Sequence, residues 1–141
     1  MHGRDTGTGL ILERMVLPAL AGGGYQVRTH VNVGERFGGG KHLVDVVAES
    51  PAGAVLLVSL KWQQVPGTAE QKVPFEVLCL ADAVFRSEGH YHKAYLVLGG
   101  PGWKLRNFFT GGGLKNHLRH PDVVEILDLE TFVARANRGA L

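Results

Sequence analysis

KHLVDVVAESPAGAVLLVSLKWQQVPGTAEQKVPFE, residues 41–76, holds two apolar runs, HLVDVVA and AVLLVSLKW, joined by Ser50-Pro51-Ala52-Gly53. Pro and Gly in the join are turn residues, so the pair reads as an antiparallel β-hairpin. Each strand is too apolar to be left exposed on both faces. The first strand carries one acid, Asp45, and the second one base, Lys61. A carboxylate in the middle of a buried strand is costly unless it is paired, hydrogen-bonded or metal-bound, so Asp45 needs an explanation that Val44 and Val46 do not. The hairpin brings Asp45 opposite Val58 to Lys61, and the period of two puts Ser59, Lys61 and Gln63 on one strand face. A carboxylate, a hydroxyl, an ammonium and an amide can therefore converge at one end of a sheet.

Upstream, Tyr25 to Val33 alternates cleanly and reads as a half-exposed strand, with Gln26, Arg28, His30 and Asn32 on its polar face. Before it lies a helix with Thr8 or Thr6 as N-cap and Leu10, Ile11, Met15, Val16, Ala19 and Leu20 as its apolar face. Pro18 should bend or shorten this helix, which stops before Gly22-Gly23-Gly24. Glu13 stands in its middle, either as a solvated flank or as a member of a metal site. The Gly34 to Gly40 loop, GERFGGG, leads into the Asp45 strand; its Glu35, Arg36 and Lys41 read as surface charges, and such a loop can also follow a nucleic-acid backbone.

Downstream, Trp62 to Gly67 breaks the strand. Thr68 caps a helix through Val73, Val77, Leu80, Ala81, Val84 and Phe85, with Pro74 either separating its first turn or kinking it. Glu70 and Glu76 lie at or near its start, where the helix dipole favours an acid. Lys93 to Gly99 is a short apolar strand reached by this helical crossover, and His90-Tyr91-His92 before it reads as a surface turn. Trp103, Phe108 and Phe109 are interleaved with bases, a composition that suits stacking on nucleic-acid bases or, alternatively, a core. A strand from Val123 to Leu127 and a helix from Leu129 to Ala136 close the order, which is that of an α/β fold with a mixed sheet and helices on both faces.

At 141 residues the chain reads as one domain able to bury a core without disulfides. Cys79 is the only cysteine and sits among Val77, Leu78 and Leu80, as a buried free thiol in a reducing compartment would. With no run of about eighteen apolar residues and a polar, Gly-rich Met1 to Gly9, neither a membrane span nor a secretory signal is expected, which points to the cytoplasm. The net charge of +2 says little, but Gly89 to Pro121 contains no acid while holding Lys93, Lys104, Arg106, Lys115 and Arg119. The glycines fall in loops with no fixed period, which excludes a repeat architecture.

These pieces resemble the PD-(D/E)XK nuclease superfamily, which includes restriction-endonuclease-like and Holliday-junction-resolvase-like proteins. The matching residues are Glu13 in the leading helix, Asp45 in LVDVVA, Lys61 in VSLKWQ and the GTAEQK entry to the next helix. The likeness runs from about Gly7 to Leu127. Ser59 occupies the place where the family usually has an acid two residues before the lysine, giving a Ser-x-Lys variant whose missing carboxylate would come from the following helix, from Glu70 or Glu76. The resemblance implies a restriction-endonuclease-like core and a Mg²⁺-dependent (or Mn²⁺-dependent) DNA nuclease. Asp45 with Glu70 or Glu76 would hold the metal, Lys61 would stabilise charge on the phosphate, and Gln63 would position a water or a phosphate. Lys41, Lys104, Arg106, Lys115 and Arg119 would follow the DNA backbone. A homodimer would let so small a chain cut both strands of a duplex. The alternative is an inactive DNA-binding or assembly module in which Ser59 marks a lost ligand, and a plain buried Asp45–Lys61 ion pair ranks last.

Overall fold

In the computed structural model, which describes residues 6–141, the strands β1 (Gln26–Glu35), β2 (Lys41–Glu49), β3 (Val55–Trp62), β4 (Lys93–Gly99) and β5 (Val124–Asp128) form one sheet in the order β1-β2-β3-β4-β5. The first two pairings are antiparallel and the last two parallel. The parallel step from β3 to β4 is made through the long helix α3 (Ala69–Arg86), as a parallel neighbour requires a crossover. The mixed α/β sheet with helices on both faces is thus the observed architecture.

The leading helix comprises α1 (Thr6–Ile11), a π turn (Leu12–Val16) and α2 (Leu17–Gly22). Pro18 neither ends nor shortens it. Proline has no N–H to give and its ring crowds the carbonyl four residues back, and here the helix widens just before it, with the Leu17 N–H donating to the Leu12 carbonyl. Thr8 lies inside the helix and not at its cap, because the helix already runs from Thr6; the cap lies outside the described residues. Pro74 likewise sits within α3 without dividing it.

Two cores lie on either side of the sheet. On one face Val16 and Leu20 of the leading helix and Phe132 of α5 (Leu129–Asn137) pack on Val46, Val58, Tyr95 and Val97. On the other, Val77 and Leu80 of α3 and Phe109 of α4 (Arg106–Thr110) pack on Leu57, Leu96 and Leu98. Strand alternation accounts for this division: Leu56, Val58 and Leu60 of β3 join the first core and Leu57 the second. On β2 the alternation fails at one place. Val44 belongs to the α3 core and Val46 to the other, although two residues apart they should share a face, so β2 turns over at Asp45.

β1 departs from the half-exposed strand expected. It is the sheet edge and most of its residues are exposed, with only Val31 and Val33 partly covered by the α3 core. His30 adopts a left-handed backbone (φ 52), between the paired positions Thr29↔Val46 and Val31↔Val44, where β2 turns over. Cys79 is a buried free thiol, and no helix among the described residues is long and apolar enough to cross a membrane.

Candidate active site

The β2–β3 ladder runs from Glu49↔Val55 to Val46↔Val58 and ends there, whereas β3 continues beside β4 to Trp62↔Gly99. Asp45 is the first residue past that divergence. Its Oδ2 accepts the Leu60 N–H at 2.6 Å, so the carboxylate takes the place of the strand that has turned away. The half-buried acid is thereby fixed at the split between two strands, which offsets the cost of withdrawing it from water.

One residue earlier on β3, Ser59 faces α3 and donates its hydroxyl to Glu76 Oε2 at 3.2 Å. His42 of β2, also turned toward α3, places Nε2 3.5 Å from the same oxygen. The other oxygen, Oε1, takes the Arg36 guanidinium at 2.9 Å. Glu76 is buried to 3 % exposure. Burial by itself would raise its pKa. The His42 hydrogen bond, the Lys61 charge and the charge and hydrogen bond of Arg36 act the other way and outweigh it, holding the pKa at about 2. The carboxylate is therefore an anion at every physiological pH. Lys61, half-buried on the same side of β3 as Ser59, completes the group at the C-terminal end of the parallel strands, where open α/β sheets place their ligand sites.

Ser59 and Glu76 thus meet in direct contact, Lys61 lies near enough for its charge to act on the carboxylate, and Arg36 and His42 join them, while Asp45 is held one residue further along β3, on the Leu60 amide. Reading the sequence treated Arg36 as a surface charge and passed over His42. A signal for His42 existed, since it alternates with Val44 on an apolar strand and is 1 % exposed. None existed for Arg36, which reaches Glu76 across a loop.

Three further expected residues make contacts of their own. Glu70 turns its carboxylate to the Leu105 N–H at 2.6 Å and so ties the start of α3 to the segment after β4. Gln63 follows the last residue of β3, Trp62. It is a buried clamp: its side chain donates to the Gly102 carbonyl (2.9 Å), its N–H to the Gly99 carbonyl (3.0 Å), and its carbonyl accepts the Gly102 N–H (2.8 Å). The glycines permit this approach, since a Cβ on Gly102 would lie 2.6 Å from the Val65 backbone. Glu13 is exposed in the π turn and lines a cleft with Leu12, Thr29 and His30, which opens on β1 where β2 turns over.

The basic residues divide as well. Lys41 is exposed one residue before His42, so strand alternation turns it away from α3, and Lys104 is exposed one residue before the Leu105 amide that Glu70 holds. Arg106 is half-buried with its guanidinium on the Gly100 carbonyl at 3.2 Å. Lys115 lines a separate cleft with Phe109 and Ile126, and Arg119 another with Leu78 and Leu118. Of the aromatics proposed to stack on bases, Trp103 and Phe109 belong to the core and only Phe108 is exposed. The Trp103 indole donates to the Gly99 carbonyl at 2.7 Å.

The donor set suits a hard divalent cation. Asp45 and Glu76 supply two carboxylates held at neighbouring positions of β3, Leu60 and Ser59. Mg²⁺ takes one or two carboxylates and fills its remaining positions with water and substrate phosphate. Among the described residues no three His, Cys, Asp or Glu side chains converge as a complete metal cage, so water and phosphate would have to supply the rest.

The domain model of the PD-(D/E)XK nuclease superfamily matches residues 4–140. A repair endonuclease from Pyrococcus abyssi, known from its crystal structure, is similar with 15 % identity and a TM-score of 0.45, over 92 % of this chain and 48 % of that one. The chain therefore spans about half the length of that structure. No curated protein matches it.

Proposed function

The chain belongs to the PD-(D/E)XK nuclease superfamily, and from that membership we propose that it is a divalent-metal-dependent nuclease that hydrolyses DNA phosphodiester bonds, with Asp45 and Glu76 as the metal ligands and Lys61 beside them. The observation that carries this reading is the delivery of the buried, ionised Glu76 onto the hydroxyl of Ser59, the position where the family's acid is missing. A carboxylate from α3 can thereby do the work of an acid on β3.

When bound, Mg²⁺ or Mn²⁺ supplies Lewis acidity to the phosphate and a more acidic water. Asp45 is held at the strand split by the Leu60 amide, so little ordering remains for it to undergo on binding. Ser59 and His42 fix the orientation of Glu76. Lys61 presents an ammonium that meets the charge developing on the phosphoryl oxygens, a contact stronger in the transition state than in the ground state. Lys41 and Lys104, both exposed, would add affinity for the backbone that weakens with salt. The buried free Cys79 suits a cytoplasmic setting, and two copies acting together would cut both strands of a duplex.

Cleavage of supercoiled plasmid, linear duplex, single-stranded DNA and a four-way junction with Mg²⁺, Mn²⁺ or EDTA tests this. Metal-dependent cutting is expected, lost in Asp45→Ala, Lys61→Ala and Glu76→Gln and kept in Glu70→Gln. A second reading, an inactive binding module, is favoured by the Arg36 guanidinium on Glu76. Salt-sensitive DNA binding without cutting under any condition would establish it.

A further inference from the structure

Glu76 has two oxygens with different partners. Oε2 is held by Ser59 and His42, both buried and both on strands of the sheet. Oε1 takes the guanidinium of Arg36, on the turn between β1 and β2. The side chain of Arg36 is 30 % exposed and that of Glu76 4 %, so the buried acid is paired with a partly exposed base. The turn is closed by the Arg36 N–H on the Gly40 carbonyl and the Gly39 N–H on the Arg36 carbonyl, and Gly38, Gly39 and Gly40 all take positive φ, a conformation cheap only for glycine. Phe37 lays its ring edge-on to Phe75, the neighbour of Glu76, at 6.3 Å between centroids. The turn is thereby docked onto α3 at the point where Arg36 reaches the acid.

Charge gives this contact a consequence. Glu76 carries one negative charge, and both the Arg36 guanidinium and the Lys61 ammonium act on it, so the buried acid is compensated without any ion. A divalent cation on Oε1 would face the guanidinium already bound to that oxygen, and two cations at that separation repel.

We propose that Arg36 is a built-in counter-ion for Glu76 that divalent metal must displace, so that the β1–β2 turn releases Glu76 when the ion arrives. This rests on the reading of Asp45 and Glu76 as metal ligands. It assigns the turn a part in the reaction: it keeps the buried acid neutralised in the resting protein and frees a guanidinium at the rim when the ion binds. A merely structural Arg36 would do the reverse, because losing the residue that orients Glu76 would weaken metal binding.

The sign of one measurement separates the two. Calorimetric titration of Mn²⁺ into the EDTA-stripped chain is compared for the native protein, Arg36→Gln, Arg36→Lys and Asp45→Ala. Gln removes the charge while keeping a polar amide, and Mn²⁺ should bind Arg36→Gln roughly tenfold tighter, a factor already discounted for solvent screening of an exposed arginine. Arg36→Lys retains the charge and should stay near the native affinity. Equal or weaker binding by Arg36→Gln overturns the counter-ion. If that result comes with weakened binding in Asp45→Ala, the metal site stands and only the counter-ion is lost. Native affinity in Asp45→Ala, or no binding in either the native chain or Arg36→Gln, overturns the two-carboxylate site and the counter-ion together. Binding that appears only in Arg36→Gln supports the counter-ion most strongly.

Discussion

Substituting Glu76 by Gln should destabilise the protein at neutral pH and do so much less in acid. The folded-state pKa of Glu76 is about 2, against 4.5 for the ordinary side chain. A carboxylate depressed in this way contributes stability that is present in full above the unfolded pKa and is lost as pH falls toward the folded one. At about 1.4 kcal/mol per pKa unit the contribution is ~3 kcal/mol at pH 7. Protonation of the unfolded chain removes ~2 kcal/mol of it by pH 3. No discount for solvent applies, because the side chain is 4 % exposed. Gln preserves the shape and the Ser59 contact but cannot ionise, so its stability should not follow this part of the acid titration. Urea denaturation of both proteins at pH 7 and pH 3 measures the difference. The deficit of the variant should shrink from ~3 to ~1 kcal/mol. A deficit of the same size at both pH values would mean that Glu76 is not held as a buried anion by His42, Lys61 and Arg36, and the electrostatic account of the site would fail with it.

Removing the Gln63 side chain as Gln63→Ala leaves the buried Gly102 carbonyl without its side-chain donor and should cost about 1–3 kcal/mol in chemical denaturation. Phe132→Ala empties a fully buried position between the sheet and α5; a loss of about 3–5 kcal/mol is expected, and a value under 1 would mean that this core layer closes up around the gap. Exposed Lys104 should contribute one phosphate contact, so Lys104→Ala should flatten the plot of log affinity against log salt by about one unit, measured by fluorescence anisotropy with duplex DNA.

Much of this fold is written locally. The two apolar runs, their Pro-Gly join and the alternation along β3 define a buried hairpin without reference to any other part of the chain. The change of period after Thr68 defines the crossover helix that makes β4 parallel to β3. Asp45 and Lys61 stand out because each is a charge in an apolar strand, and that mismatch is visible before folding. The phase of α3 is not. Glu70 and Glu76 are both early acids of one helix, and which of them meets Ser59 depends on how the helix is rotated over the sheet. The same limit applies to Gln63, whose partners, Gly99 and Gly102, lie some forty residues away in sequence. Trp103 belongs to the core for a related reason, since it returns to donate to Gly99.

The sequence by itself determined the elements, their order and the two residues whose charge does not suit their place, because periodicity, turn chemistry and the cost of burying a charge act over a few residues. The tertiary structure decided which acid meets Ser59 and what neutralises it. Arg36, His42, Ser59 and Glu76 come from a turn, two strands and a helix. They meet only through the turnover of β2 at Asp45 and the rotation of α3, and both are set by how two apolar cores pack on one twisted sheet.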